Sequence, residues 1–237
     1  MIIFETELTA VIDRAPGVKS FRFKTDGKLT FKPGQFFFVG IMIDGQERTK
    51  HFSFSNSPTE EGFIEFTKRL TGSNFSNALD KLKPGNKAKI KAPQGFFTFN
   101  GEYQKIAFLS AGIGITPIRS IVKFVVDKGL GTDMVLLYGN NAEQDIIFKQ
   151  DFDQMADKKG NLKIIYTLTS KDIDKNKWQG RSGYIDADMI TEEIPDYKER
   201  VFFICGPPTM VEALNNILKD KLGILEHRIV IENFTGY

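Results

Sequence analysis

The sequence predicts a two-domain protein in which an antiparallel six-stranded β-barrel precedes a doubly wound α/β domain with a parallel sheet. Up to about residue 100, short apolar or alternating stretches are separated by Pro and Gly turns. After that point, buried-type strands alternate with helical stretches, as in a parallel sheet covered by helices on both faces. The charge changes at the same place: residues 1–100 contain 15 Lys and Arg against 10 Asp and Glu, whereas the remainder contains 17 against 20.

The first domain, residues 1–100, contains six predicted strands and one predicted helix at 74–82. The strands are IIFETELTAVI, VKSFRFKT, GQFFFVGIMI, HFSFSNSP, GFIEFTKRL and KAKIKAP. Pro-Gly and Asp-Gly pairs between several of them indicate turns. Six short strands in so few residues are typical of a small antiparallel barrel, and the 22 Phe residues favour a Phe-rich core.

The second domain, residues 101–237, is predicted to alternate strands with helices. We expect strands at 106–110, 134–138, 163–168, 201–205 and 228–232, and helices at 117–128, within 145–157 and within 207–222. No internal repeat or low-complexity linker interrupts the chain, so we expect the two domains to pack against each other.

The small number of Cys and His residues disfavours several chemistries. Cys205 is the one cysteine, which excludes a disulfide within the chain and disfavours an iron–sulfur cluster, since a cluster normally takes four protein ligands. His51 and His227 are the two histidines, too few for a His-rich metal site and a poor basis for a Ser-His-Asp triad. No metal site is predicted.

Membrane insertion, secretion and nucleic-acid binding are also disfavoured. No run approaches about 18 apolar residues, and Glu5 and Glu7 stand where a signal peptide would carry Lys or Arg. The net charge is +2, too small for a broad basic surface that binds nucleic acid. We therefore predict a soluble cytoplasmic protein.

A glycine turn follows the first strand of the second domain, in the segment LSAGIGITPIRS at 109–120. Gly112 and Gly114 allow a ligand to approach the backbone closely. Thr116 and Pro117 open a helix whose first N–H groups can face a phosphate. Pro117 stands where the motif G-x-G-x-x-G has its third glycine, so a purely structural turn is the alternative.

A second strand-to-helix junction lies in VFFICGPPTM at 201–210. It places Cys205 at the carboxyl end of the predicted sheet, where parallel α/β domains bind ligands. The alternative is an inert buried thiol, because free cysteine is among the most buried residue types.

Two further segments in the first domain combine cations, rings and hydroxyls. Lys50, Phe52 and Ser53 share one strand end, an arrangement that suits a ligand lying across it. Gly72 and Ser73 open the predicted helix, with Ser76 in its first turn, where these residues can hold a phosphate or cap the helix.

The order of these segments is more specific than any one of them. It runs PGQ at 33–35, K-x-F-S-x-x-N-S-P at 50–58, G-S-x-x-S-x-x-L at 72–79, A-G-I-G-I-T-P at 111–117, C-G-P-P-x-M at 205–210 and E-N-F at 232–234. This order resembles the ferredoxin-NADP reductase superfamily over essentially the whole chain. The resemblance implies a flavin-binding barrel followed by a nicotinamide-nucleotide domain, with FAD, or less often FMN, between them, and hydride transfer between nicotinamide and flavin.

The resemblance implies four residues around the reacting rings. Ser53 would lie near flavin N5, and Cys205 would lie beside the nicotinamide. Glu232 would be the acidic residue near both rings, and Phe234 an aromatic ring close to the flavin. Because the chain continues to Tyr237, that residue is a second candidate for covering the flavin.

It also implies a set of cofactor-binding residues. Lys50 would contact the flavin phosphates and Phe52 would stack on the isoalloxazine, at positions where the family has Arg and Tyr. Lysine keeps the charge but not the two-pronged hydrogen bonding, and phenylalanine keeps the ring but not the hydroxyl. The full set is Lys50, His51, Phe52, Ser53, Thr67, Gly72, Ser73, Ser76, Gly112, Gly114, Thr116, Pro117, Ser170, Lys171, Arg181, Cys205, Gly206, Pro207, Met210 and Phe234.

The nucleotide preference depends on the loops after the second and third strands of the second domain. Residues 138–141 read Tyr-Gly-Asn-Asn and lack the acidic residue that binds an NAD ribose. Ser170, Lys171 and Arg181 offer a hydroxyl and two cations that suit a 2′-phosphate. The sequence therefore favours NADPH, with NADH as the alternative because Asp172 lies nearby.

The sequence leaves the electron acceptor open. A ferredoxin or flavodoxin would fit the basic first domain, since such carriers are commonly acidic. The alternatives are free flavin, the oxygenase partner of a detached reductase component, and no acceptor at all in a non-catalytic nucleotide-binding module. The joint presence of the flavin, nucleotide and terminal segments favours an enzyme.

Overall fold

The computed structural model describes residues 1–27, 29–158, 160–174 and 176–234. They form two compact units. The first contains Met1–Asn100 and Thr116–Lys128, and the second contains Gly101–Ile115 and the described residues from Gly129 onward. The helix at 116–128, which the sequence assigns to the second domain, therefore groups with the first unit. The domain boundary after residue 100 stays a prediction.

Residues 1–100 of the first unit, as far as they are described, form six antiparallel strands and one short helix. The strands are β1 (Ile2–Ala15), β2 (Val18–Lys24), β3 (Phe36–Ile43), β4 (Gln46–Ser53), β5 (Phe63–Arg69) and β6 (Lys87–Gln94), and the helix is α1 (Asn74–Asp80). Their order is β4-β3-β6-β1-β2-β5. Phe52 of the edge strand β4 stacks on Phe66 of the other edge strand, β5, with ring centroids 4.2 Å apart. The two edges of the sheet therefore meet. The prediction of an antiparallel six-stranded barrel is confirmed.

β4 differs from the expected strand at 51–58. Asp44 and Gly45 both have positive φ, 50° and 75°, which is the geometry of a two-residue hairpin turn. After the turn, β3 and β4 pair antiparallel, from Ile43 opposite Gln46 to Phe36 opposite Ser53. β4 therefore begins in a polar, exposed stretch that has no strand-like alternation, and it ends at Ser53.

The second unit is built on six parallel strands. They are β7 (Lys105–Ala111), β8 (Asp133–Asn140), β9 (Leu162–Leu168), β10 (Arg181–Ser182), β11 (Val201–Gly206) and β12 (Ile229–Asn233), in the order β10-β9-β8-β7-β11-β12. The order reverses direction at β7, so its carboxyl end is the topological switch point where such sheets bind ligands. The predicted doubly wound domain is confirmed.

Helices cover both faces of this sheet. Those of the second unit are α3 (Lys149–Lys158), α4 (Ala187–Glu193) and α5 (Pro208–Asn216), whereas α2 (Ile115–Lys128) groups mainly with the first unit. Ile165 of β9 packs in one core with Ile190 of α4 and Leu214 of α5. Its neighbour Tyr166 points to the other face, where its hydroxyl donates to Asp153 of α3 at 2.8 Å. β10 and α4 were not predicted.

A buried ion pair attaches α2 to the first unit. Arg119 donates to both carboxylate oxygens of Glu60, at 2.7 and 3.1 Å, and to the Ser55 carbonyl at 2.8 Å. The Ser120 hydroxyl donates to the Asn56 carbonyl at 2.7 Å. Burial alone would raise the pKa of Glu60, but the hydrogen bonds and charge of Arg119 outweigh it and hold this pKa below its usual value.

Replacing Glu60 with Gln is expected to destabilise the protein, because the Arg119 side chain is only 6% exposed and loses its compensating charge. We expect the free energy of unfolding to fall by about 2 kcal/mol at pH 7, measured by urea denaturation. The stabilisation is present above the unfolded-state pKa of Glu60 and is lost as the pH falls through the lower folded-state pKa, so the gap to wild type should close in acid.

The exposed neighbour Glu61 supplies the control, since Glu61→Gln should leave the stability within about 0.5 kcal/mol of wild type. The double variant Glu60→Gln/Arg119→Met should be more stable than Glu60→Gln, because it also removes the uncompensated charge. Equal stability of wild type and Glu60→Gln at neutral pH would contradict the role given to this pair.

Candidate functional site

The end of β4 holds the first group of predicted cofactor residues, but it does not present them uniformly. Lys50 is exposed and Ser53 is half-buried. His51 is exposed and lies on the outward side of the sheet, with its ring centroid 5.2 Å from that of Phe36. Phe52 points the other way, into the barrel, so the four side chains do not form one surface.

Phe52 is a core residue in this structure. It is only 7% exposed, one ring face stacks on Phe66, and the Phe75 ring centroid lies 6.0 Å away. Since a buried ring without a hydroxyl needs no hydrogen-bond partner, phenylalanine suits this position. Its contact with the isoalloxazine stays a prediction.

A second lysine, which the sequence analysis missed, lies beside Lys50. Lys68 of β5 places its ammonium group 6.0 Å from the Phe52 ring centroid. Burial lowers the pKa of Lys68, and the charge of Lys50 lowers it further. An anion near two neighbouring ammonium groups relieves both effects. This donor set fits a phosphate group of FAD.

The hydroxyl of Thr67 is used inside the barrel. It donates to the Ser55 hydroxyl at 3.0 Å and shares a hydrogen bond of 2.6 Å with Ser20. The side chain is buried, so these internal bonds account for its polar group. A cofactor contact of Thr67 stays a prediction.

The two serines at the start of α1 use their hydroxyls in hydrogen bonds that cap the helix and close the turn before it. Ser73 caps the helix by accepting from the Ser76 N–H at 3.3 Å, and the Ser76 hydroxyl accepts from the Thr71 N–H at 2.9 Å. Gly72 has a φ of +73°, and a Cβ built there would meet nothing within 4 Å. The backbone is therefore open at Gly72, which allows a phosphate group to approach.

The glycine turn between β7 and α2 is tightly packed on one side and open on the other. A Cβ on Gly114 would lie 2.4 Å from the Cys205 carbonyl oxygen, so only glycine lets the turn pass the end of β11. A Cβ on Gly112, which has a φ of +52°, would meet nothing within 4 Å. This cradle fits the pyrophosphate of a dinucleotide at the switch point.

α2 begins two residues earlier than expected. The turn Gly112–Gly114 is a single 3-10 turn, and the helix starts at Ile115. Thr116 and Pro117 therefore lie within its first turn, where the missing N–H of proline breaks no helical hydrogen bond. The Tyr138 hydroxyl donates to the Gly112 carbonyl at 2.9 Å and braces the turn.

Cys205 and Glu232 lie opposite each other on β11 and β12, at the carboxyl edge of the sheet. Cys205 is fully buried. Burial raises the pKa of its thiol well above the usual value, and the Glu232 charge raises it further. Burial also raises the pKa of Glu232. The thiol is therefore protonated at neutral pH and can contribute shape but not a thiolate nucleophile.

The chain after β12 returns to the end of β11. The Phe234 N–H donates to the Gly206 carbonyl at 3.0 Å, and Phe234 is buried. A Cβ on Gly206 would lie 2.6 Å from the terminal methyl of Met210, so Gly206 and Met210 are closely packed beside Pro207. Tyr237, the other candidate for covering the flavin, lies outside the described residues.

The residues predicted to bind a 2′-phosphate are arranged differently from the expectation. Arg181 lies in β10 and forms ion pairs with Glu192 at 2.5 Å and Glu193 at 3.4 Å, so its charge is directed to α4. The Ser170 hydroxyl accepts from the Asp172 N–H at 3.1 Å. Lys171, the other predicted cation, forms no ion pair with Glu192 or Glu193.

Within the described ranges, no three His, Cys, Asp or Glu side chains are grouped so that they could hold a metal ion. No helix in the part of the chain that the structure describes is both long enough and apolar enough to cross a membrane.

Replacing Gly114 with Ala is expected to destabilise the second unit, because its Cβ would overlap the Cys205 carbonyl oxygen, a backbone atom that cannot move cheaply. We expect a loss of about 3 kcal/mol in urea denaturation. Gly131→Ala is the matched control, since a Cβ there meets nothing within 4 Å. Equal stability of the two variants would show that the close approach is not required.

Family models match both parts of the chain. Residues 5–99 match the oxidoreductase FAD-binding domain, and residues 108–216 match the oxidoreductase NAD-binding domain. The two models follow each other in the order that the sequence analysis expects, and they confirm FAD and a nicotinamide nucleotide as its cofactors.

Curated relatives include reductases of different lengths. The glycine betaine monooxygenase reductase subunit of Pseudomonas aeruginosa is 31% identical over 88% of this chain, which spans 58% of that protein. Ferredoxin--NADP reductase B of Sorangium cellulosum is 27% identical and is matched over 97% of its length by 98% of this chain. The chain thus spans well under two thirds of the first relative and nearly all of the second.

Solved structures share the fold. A ferredoxin NADP+ reductase from Neisseria gonorrhoeae with bound FAD and NADP superposes with a TM-score of 0.84 at 19% identity, over 98% of each chain. The cytochrome b5 reductase domain of Ulva prolifera nitrate reductase gives 0.84 at 22% identity, over 98% of this chain and 97% of that one. The two matched oxidoreductase domains and the curated relatives show that the chain belongs to the ferredoxin-NADP reductase superfamily.

Proposed function

We propose that this protein takes a hydride from NAD(P)H onto bound FAD and passes the electrons singly to a one-electron carrier of the ferredoxin or flavodoxin type. The observation that carries the proposal is its single cysteine, Cys205, which is buried in the core of the second unit. An iron–sulfur cluster normally takes four protein ligands. A cluster that receives the electrons is therefore held outside these 237 residues.

A second candidate is the reductase component of an oxygenase. It is favoured by the relatives named as monooxygenase reductase subunits, of which this chain spans 58%. Both candidates share the hydride step and differ in the final acceptor, so they are distinguished by the partner and not by the chemistry at the rings.

In this proposal, residues of the first unit hold FAD. Lys50 and Lys68 supply positive charge for its phosphates, and the open backbone at Gly72 lets a phosphate approach. Ser53 would place its hydroxyl near flavin N5. When bound, FAD supplies the redox chemistry, because a flavin accepts a hydride and releases electrons one at a time.

Residues of the second unit hold the nicotinamide nucleotide in the same proposal. The cradle at Gly112 and Gly114 binds its pyrophosphate at the start of α2. The protonated Cys205 thiol forms a small uncharged wall beside the nicotinamide. Glu232, whose pKa is raised by burial, retains a proton to higher pH than an ordinary glutamate.

The test is an absorbance spectrum of the purified protein before and after anaerobic addition of NADPH and, separately, NADH. We expect the flavin bands to be present and to bleach with one or both nucleotides. The nucleotide that bleaches the flavin faster is the preferred one, and Lys171 would set this preference. A colourless protein that takes up no FAD and accelerates no flavin reduction contradicts the proposal, whereas turnover only with added free flavin identifies a free-flavin reductase.

The carboxyl of Glu232 should govern the pH dependence of flavin bleaching. In wild type, the stopped-flow rate should change over a pH range above the usual pKa of glutamate, as the carboxyl loses its proton. Glu232→Gln should remove that dependence while leaving FAD bound. Glu226→Gln, a change at a surface glutamate of the second unit, is the control and should retain the wild-type profile. The same pH profile in Glu232→Gln and wild type would rule out this role.

A further inference from the structure

The outward side of the barrel sheet carries aromatic and apolar side chains in adjoining rows. Strand register places Ile3, Lys91, Phe38 and His51 opposite one another across β1, β6, β3 and β4. The next row contains Phe36, and the loop after β6 adds Phe96. We call Ile3, Phe36, Phe38, His51, Lys91 and Phe96 the aromatic face.

Ring contacts and one cation–ring contact join four members of the aromatic face. Phe36 and Phe38 meet edge to face with centroids 5.8 Å apart, and the His51 ring lies 5.2 Å from Phe36 and 5.8 Å from Phe38. The Lys91 ammonium group lies over Phe38, 5.6 Å from its centroid. These residues therefore pack as one cluster although they face away from the barrel core.

Two members of the aromatic face have large exposed fractions. Phe96 is 98% exposed and Ile3 is 60% exposed. Gly95, which precedes Phe96, packs closely against Phe36, since a Cβ built on Gly95 would lie 2.8 Å from the Phe36 ring. The Gln35 amide also donates to the Gly95 carbonyl. Exposed apolar patches of this kind mark interaction sites, because water contact with large apolar groups is unfavourable.

The charge of the aromatic face favours an acidic partner. Its members include Lys91 and His51 but no carboxylate. Further along the same side of the sheet, Lys89 is paired with Glu47 at 3.3 Å and stands opposite Glu5, so the carboxylates of this side lie outside the aromatic face. Residues 1–100 have five more Lys and Arg than Asp and Glu, 15 against 10, which adds attraction over a longer range.

The position of the aromatic face links it to the reaction. Phe36 pairs with Ser53, the residue assigned to flavin N5, so the face ends at the proposed flavin site. We propose that the aromatic face is the docking surface for an acidic one-electron carrier protein, an inference that rests on the proposed function. Each NAD(P)H gives up a hydride, two carriers each gain one electron, and one proton is released to solvent.

The experiment compares electron transfer to a carrier protein with transfer to a small acceptor. The variants are Phe96→Ser and Lys91→Glu, and the control is Tyr184→Ser, an 81% exposed aromatic of the second unit. The probes are a plant-type [2Fe–2S] ferredoxin, a flavodoxin and ferricyanide. We expect the KM for the better carrier to rise at least about fivefold in both variants, with ferricyanide rates and the control unchanged. Lys91→Glu should also weaken the dependence of the carrier rate on salt.

Other outcomes overturn the inference. An unchanged carrier KM in both variants would do so, as would a wild type that reduces ferricyanide but neither carrier. A wild-type dimer that Phe96→Ser separates, with an unchanged carrier KM, would assign the face to a second copy of the chain. Failure of NAD(P)H to reduce ferricyanide would count against the proposed function instead. Calorimetric binding of oxidised ferredoxin to wild type and both variants then still tests the face.

Discussion

The ion pair between Arg119 and Glu60 is the contact on which the arrangement of the first unit depends. Taking both charges out of water is costly, and it is tolerated only because Arg119 also bonds to the Ser55 carbonyl and meets both carboxylate oxygens. Ser55 is the second residue after β4, and Arg119 lies in the second turn of α2. One buried contact thus holds α2 against the segment that follows Ser53.

Three residues proposed to meet the cofactors have perturbed ionisation, as do residues in ion pairs elsewhere, such as Asp196 and Arg200. Burial disfavours the charged forms of Lys68, Cys205 and Glu232. For Lys68, the neighbouring Lys50 adds to the effect, and the phosphates of FAD would reverse it. For Cys205 and Glu232, burial keeps the thiol and the carboxyl protonated to higher pH than usual.

The two departures from the family pattern have different structural consequences. Lys50 keeps a positive charge at the barrel end, and Lys68 beside it supplies a second one. Phe52 replaces a tyrosine and packs on Phe66 inside the barrel, where a hydroxyl would require a hydrogen-bond partner. The charge of the phosphate site is therefore shared between two strands, and the aromatic position contributes to the core.

The sequence by itself determined the two architectures, the glycine turn at Gly112 and Gly114, and the family, because periodicity and turn chemistry act between near neighbours in the chain. Tertiary structure decided that Arg181 pairs with α4, that Lys68 lies beside Lys50, and that the Thr67 hydroxyl bonds inside the barrel. β10 and α4 were missed for the same reason, since a two-residue strand and a seven-residue helix are too short for a periodic signal. Which partner a side chain meets across strands depends on register and packing, which no local pattern encodes.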